Sequence, residues 1–288
     1  MGDYEETYRT FSLEVPDYYN FGFDVIDRLA LEDRNRLAMI WVNQEGNEKT
    51  FTFRQMMNLS NSAANMLLKY GVKKGDRVII MLPRVPEWWI FAIACIKLGA
   101  VFCPCPTMLT PKDLKYRIDA AKISMVITDK ENSGKVEEIS NDCPTLATRL
   151  LTDAKLPGWI SYIEEIDYPA PVSRHLVKIA GLERTKSTDP LVISFTSGTT
   201  GEPKLVLHNH ALPLGHVTTG GFWLDLKPHD LHFTYADTGW AKSSWGKFFG
   251  PWIQGACILV YDVRGRFKPT ELLPVPVPYT LLTLPTTA

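Results

Sequence analysis

The sequence predicts an α/β fold of parallel sheets flanked by helices, and three features carry that expectation. From about residue 36 the chain alternates β-like apolar runs with segments of helical spacing. Thr110-Pro111-Lys112-Asp113 marks a helix start, with a cap, a first-turn proline and an early acid. Two further apolar runs, 191–195 and 205–207, bracket a stretch rich in Ser, Thr and Gly. Strand–helix–strand repetition closes as parallel strands with right-handed crossovers, so helices must cover both faces.

Taken in order, residues 36–42 and 49–53 read as strands joined by the turn Asn43-Gln44-Glu45-Gly46-Asn47. Phe53, Met56, Met57, Ala63, Ala64 and Leu67 recur at helical spacing until Gly71 stops the helix. A strand follows at 76–82, a helix at 87–98, a strand at 101–105, the helix that opens at Thr110, and a strand at 124–128. Residues 153–188 are polar and irregular and read as the connection into the strand at 191–195. Leu273-Pro274-Val275-Pro276-Val277-Pro278 alternates prolines, as an edge strand or an extended link would. The division expected is an N-terminal arm over 1–23 and one domain over 24–288.

Composition narrows the function classes. With 45% hydrophobic residues among 288, the chain can bury a large core. Its 31 basic and 32 acidic residues leave a net charge of −1, so no global field draws nucleic acid or an anionic membrane, and any polyanion must be bound locally. The apolar stretch at 88–104 is interrupted by Lys97 and closed by Pro104, too soon to span a bilayer of about 30 Å, so it reads as a buried helix and strand. Five cysteines form no disulfide framework; Cys95 and Cys257 read as reduced core residues. Cys103 and Cys105 read as small apolar fillers rather than a metal or redox pair, for want of a second pair. The acidic start lacks a basic segment and an apolar signal core, so a cytoplasmic location is expected.

The most specific segment is Thr196-Ser197-Gly198-Thr199-Thr200-Gly201-Glu202-Pro203-Lys204. Glycine lets backbone N–H groups approach an anion, and each charge-assisted hydrogen bond to phosphate is worth roughly 1.5–3 kcal/mol. Hydroxyls, amides and Lys204 together suit a polyphosphate. The segment is not a Walker A loop, since Pro203 takes the place of the second glycine and Leu205 follows the lysine. His208 and His210 share one strand face by the period of two, but with no third ligand nearby they read as strand residues, and no metal ligands are assigned.

The nine residues 196–204 closely resemble the phosphate loop of the adenylate-forming enzymes, which include acyl-CoA synthetases, luciferases and adenylation domains. Residues 236–246, running through Asp237-Thr238-Gly239-Trp240, together with Leu82-Pro83-Arg84-Val85-Pro86-Glu87-Trp88-Trp89 and Phe222-Trp223-Leu224, are most similar to medium-chain acyl-CoA synthetases. Trp223, Trp240, Trp245 and Trp252 supply large apolar surfaces of the kind that suit an acyl chain, with Trp88 and Trp252 read as core.

The resemblance implies that a carboxylic acid attacks the α-phosphorus of ATP, that pyrophosphate leaves, and that coenzyme A displaces AMP from the acyl adenylate. It implies that Thr196, Ser197, Gly198, Thr199, Thr200, Gly201 and Lys204 hold the phosphates, that Mg²⁺ accompanies ATP, and that Trp240 stands at the acyl pocket. Family members are much longer, so the chain is expected to be the N-terminal part of the large domain, without the C-terminal catalytic lysine. Two alternatives stand beside this: an adenylating enzyme with a non-CoA acceptor, and a non-catalytic nucleotide-binding fragment.

Overall fold

The computed structural model describes residues 4–166, 183–196, 201–265, 269–272 and 274–275. Two sheets organise them. The larger is built from β3 (Arg77–Met81), β4 (Val101–Pro104), β5 (Met125–Thr128), β6 (Thr148–Leu151), β7 (Ile160–Ser161), β8 (Pro190–Thr196) and β9 (Lys204–Asn209), in the order β7-β6-β5-β3-β4-β8-β9. Every pairing in it is parallel except β8 with β9. The smaller runs β10-β11-β1-β2, from β1 (Leu37–Asn43), β2 (Glu48–Thr52), β10 (Leu231–Phe233) and β11 (Cys257–Asp262). There β1 pairs antiparallel with β2 and parallel with β11. The α/β expectation therefore holds, with antiparallel pairs wherever a hairpin rather than a helix joins neighbours.

Local sequence explains the element boundaries. Asn43 accepts from the Asn47 N–H at 2.8 Å and closes the β1–β2 turn. Helix α3 (Phe53–Lys69) starts at a reciprocal capping box between Thr52 and Gln55, and α5 (Pro111–Ala121) at one between Thr110 and Asp113. Helix α4 (Pro86–Leu98) begins on proline and ends at Gly99, which adopts φ 67°. A side chain at Gly99 would also meet Thr185 at 2.9 Å, so two constraints select glycine there.

Helix α4 is buried all round, with Trp88 and Trp89 fully enclosed. Its lysine, Lys97, donates to Asp27 at 2.7 Å and to Ser60 at 3.1 Å. Burial lowers the lysine's proton affinity, and Asp27 offsets that effect. Among the described residues no helix is long and apolar enough to cross a membrane. Trp252 lies in the same core and donates to the Ala38 carbonyl at 2.9 Å. Cys95 and Cys257 are buried free thiols, both pushed up to about 12 by desolvation.

Several elements went unread in the sequence. Within 153–188 the chain forms β7 and the short helix α7 (Tyr162–Glu165), both too brief to show a period. Helix α6 (Lys130–Ser140) buries only Val136 and Ile139 as apolar side chains and contains Gly134, which hides its spacing. Residues 167–182 of the connection, and Leu273 with 276–278 of the proline-rich segment, lie outside the described residues. Near its start the chain forms helix α1 (Tyr4–Thr10), Asn20 then docks on the Ile96 carbonyl at 2.7 Å, and the short helix α2 (Arg28–Glu32) leads into β1.

Candidate functional site

The parallel strands β3, β4, β5 and β8 point their carboxyl ends the same way, the edge at which open α/β sheets receive ligands. Beyond β8 the chain makes its hairpin to β9, with Phe195 opposite Leu205 and Thr196 opposite Lys204. The expected strand–loop–strand arrangement is thus present. Thr196, Gly201 and Lys204 lie on described backbone; Ser197, Gly198, Thr199 and Thr200 lie outside the described residues.

Both legs of the hairpin rest on α5. Tyr116 donates its hydroxyl to the Pro203 carbonyl at 3.0 Å, and its ring meets Phe195 edge-on at 6.3 Å. Arg117 lies over the Phe195 ring at 4.9 Å and reaches the Cys105 sulfur at 3.9 Å. Cys105 and Cys103 are both buried, their sulfurs 4.0 Å apart. A hydrogen bond from Cys103, with Arg117 nearby, holds the Cys105 thiol below its usual range.

The Asp237–Thr238–Gly239–Trp240 segment reaches the same corner from the other side. A Cβ on Gly239 would stand 1.9 Å from the nitrogen of Pro106, in the connection between β4 and α5. Only glycine permits that approach. Thr238 donates to the Leu82 carbonyl at 2.7 Å, tying the segment to the end of β3, and Asp237 accepts from the Gly239 N–H at 2.9 Å. The two motif regions therefore flank one loop–helix unit.

Two cations converge on the first carbonyl of that segment. Arg84 donates to the Ala236 oxygen at 3.3 Å and Lys247 donates to it at 3.1 Å. Arg84 also donates to the Val263 carbonyl at 3.3 Å, joining the carboxyl end of β11 to that of β3. Lys247 is buried, and desolvation followed by repulsion from Arg84 brings it down to about 7. Arg264 adds a second link between the sheets, 3.2 Å from Glu131 and 3.2 Å from Asp262.

Trp240 is 49% exposed and Trp245 41%. Trp245 stacks on His216 with ring centres 6.2 Å apart, and Phe249 stacks on the same imidazole. Burial brings His216 down to about 4, so it is neutral near pH 7. His208 is exposed whereas His210 is fully buried, so the two do not present a common metal face. Among the described residues no group of three or more His, Cys, Asp or Glu could hold a metal ion.

Nothing local in the sequence marks Lys247, His216 or Tyr116 as site residues, because each meets its partner only through the fold. Only Arg84 carried a signal, through its place in the Leu82–Trp89 motif.

A hairpin whose sequence is rich in Ser, Thr and Gly thus stands at the carboxyl edge of a largely parallel sheet. Residues 26–281 match the AMP-binding enzyme family, and the chain belongs to it. It is 37% identical over 281 residues to human "acyl-coenzyme A synthetase ACSM3, mitochondrial", covering 95% of this chain and 47% of that protein. The fold matches an acyl-CoA synthetase of Brucella canis with a TM-score of 0.85 at 22% identity, over 97% of this chain and 51% of that one. It also matches the anthranilate CoA ligase AuaEII in complex with anthranoyl-AMP, with a TM-score of 0.77 at 26% identity, over 87% of this chain and 46% of that one. The chain spans about half the length of the curated relatives it matches.

Proposed function

We propose that the protein activates a medium-chain fatty or related carboxylic acid with ATP, forming an acyl adenylate that coenzyme A converts to the thioester. The observation that carries this reading is the 196–204 segment, set between β8 and β9 in a chain of the AMP-binding family. The anthranilate ligase bound to anthranoyl-AMP supports the same order of events, because its ligand is an acid joined to AMP.

In this reading the backbone amides and hydroxyls of 196–201 hold the β- and γ-phosphates, and Lys204 balances the charge that builds on departing pyrophosphate. The acid's carboxylate oxygen bonds to the α-phosphorus as the bond to pyrophosphate breaks. The CoA thiol then bonds to the acyl carbon and AMP leaves. Mg²⁺ would neutralise the triphosphate. Gly201 and Lys204 suit a metal-bound triphosphate through its oxygens, and no protein ligand to the metal is assigned.

Trp240 is proposed to line the acyl chain's path, and the stacked pair Trp245 and His216 is proposed to add to its wall, the imidazole being neutral. The proposed domain division keeps 24–288 as the ligase portion, with 1–23 as an arm. Five free, buried cysteines support a reducing compartment. We keep the cytoplasm as our reading, against the mitochondrial designation of human ACSM3; localising the tagged protein in cells decides between them.

The experiment supplies magnesium ATP with acids of graded length and measures pyrophosphate with and without CoA. Acid-dependent pyrophosphate with a CoA thioester supports the proposal. Release without any thioester points to another acceptor. Binding of ATP with no release under either condition leaves the non-catalytic reading.

A further inference from the structure

The two legs of the hairpin are held very differently. The entry leg, β8, lies between β4 and β9 and is buried along most of its length. The exit leg, β9, is the sheet edge and is largely exposed, with Leu205 at 39% and Leu207 at 47%. Packing fixes the first leg and does little for the second. Lys204, the residue read as countering pyrophosphate, opens the weakly held leg.

We infer that Tyr116 is a positioning residue for this hairpin: its hydroxyl, bonded to the Pro203 carbonyl, fixes the exit leg and through it the backbone of Lys204. The pyrrolidine ring already sets φ at Pro203, which leaves ψ as the soft rotation before Lys204. A hydrogen bond to the Pro203 oxygen restrains that rotation, because it orients the whole peptide plane between the two residues. On the other side Lys204 pairs with Thr196 across the ladder. Its Cα is then held from both directions although, among the described residues, its strand has no outer neighbour in the sheet.

Helix α5 is suited to this task. Its capping box and first-turn proline define its start, and Leu114, Ile118 and Ala121 seat it in the core. Tyr116 and Arg117 then meet the hairpin from a fixed base, with Arg117 on the entry leg and Tyr116 touching both. The consequence for ATP rests on the proposed role of 196–204 as phosphate holder; the tether itself does not.

The test is Tyr116→Phe, which removes one oxygen and keeps the ring on Phe195. Tyr70→Phe serves as control, because it deletes a hydroxyl bonded to Glu165 instead. Hydrogen exchange should accelerate roughly fivefold at amides 204–207 in Tyr116→Phe, the equivalent of one hydrogen bond, and not in the control. The Kd for magnesium ATP should rise by about the same factor, with the melting temperature within about 2 °C of the parent. Unchanged exchange at 204–207, or acceleration spread equally over α5 and β8, would overturn the inference. If the parent shows no ATP affinity, the nucleotide reading fails, while the exchange comparison still decides the tether.

Discussion

His210 follows β9, its ring fully buried and, among the described residues, both ring nitrogens without a hydrogen-bond partner. Desolvation brings it from 6.5 down to about 4, against an opposing pull from Asp189. Above pH 6.5 the ring is neutral in both folded and unfolded chains, and stability is indifferent to it. As pH falls towards 4, the unfolded chain binds a proton that the folded chain refuses, so stability is lost. Between pH 6.5 and 5 this amounts to about 2 kcal/mol. Urea unfolding of His210→Leu should show a correspondingly flatter decline over that window; a slope equal to the parent's would count against the buried neutral ring. Lys204→Ala belongs to the same scale. It should weaken magnesium ATP binding roughly tenfold or more, for loss of a charge-assisted contact, while calorimetry finds the melting temperature within about 2 °C. Equal losses of stability and affinity would make Lys204 a structural residue.

At the scale of elements, the closeness of Gly239 to Pro106 and the buried pair Lys97–Asp27 each hold separate segments together. Gly239→Ala places a methyl against backbone that cannot rotate away, so thermal unfolding should register a loss of about 2 kcal/mol, or roughly 4–8 °C. A change below about 1 °C would mean that the Asp237–Trp240 turn gives way freely. Asp27→Ala leaves Lys97 charged in the core and should cost about 3–5 kcal/mol, whereas Lys97→Met leaves the more exposed carboxylate of Asp27 and should cost less. Denaturant midpoints in the reverse order would contradict the burial of that ammonium. Elements with clear local signals were legible in the sequence: α3 through its helical spacing and the stop at Gly71, α5 through its cap, proline and early acid, and the β1–β2 turn through the stretch 43–47. Helix α6 and strand β7 were not, because one has a sparse apolar face and the other too few residues for any period. The strand at β11 is an unbroken buried run whose parallel partner β1 lies more than two hundred residues earlier, and no local rule announces that pairing.

Across the whole molecule, the sequence located both motif segments but not their common footing. The chemistry proposed for 196–204 rests on the sequence alone, because phosphate binding needs particular residue types in tight succession. The convergence of Pro203 on Tyr116, Gly239 on Pro106, and Arg84 with Lys247 on Ala236 depends on how two sheets meet, which residue order alone does not disclose. Together these contacts seat the hairpin and the Asp237–Trp240 turn on the β4–α5 unit, the arrangement that an ATP tail at one segment and an acid at the other would require. The most direct trial is photolabelling of the chain with ATP carrying an azidoanilide on its γ-phosphate, in the presence of magnesium, followed by mass mapping of the labelled peptide. The account predicts label within residues 190–209, suppressed by excess ATP. Label confined to other peptides, or none on a folded chain at saturating nucleotide, would contradict it.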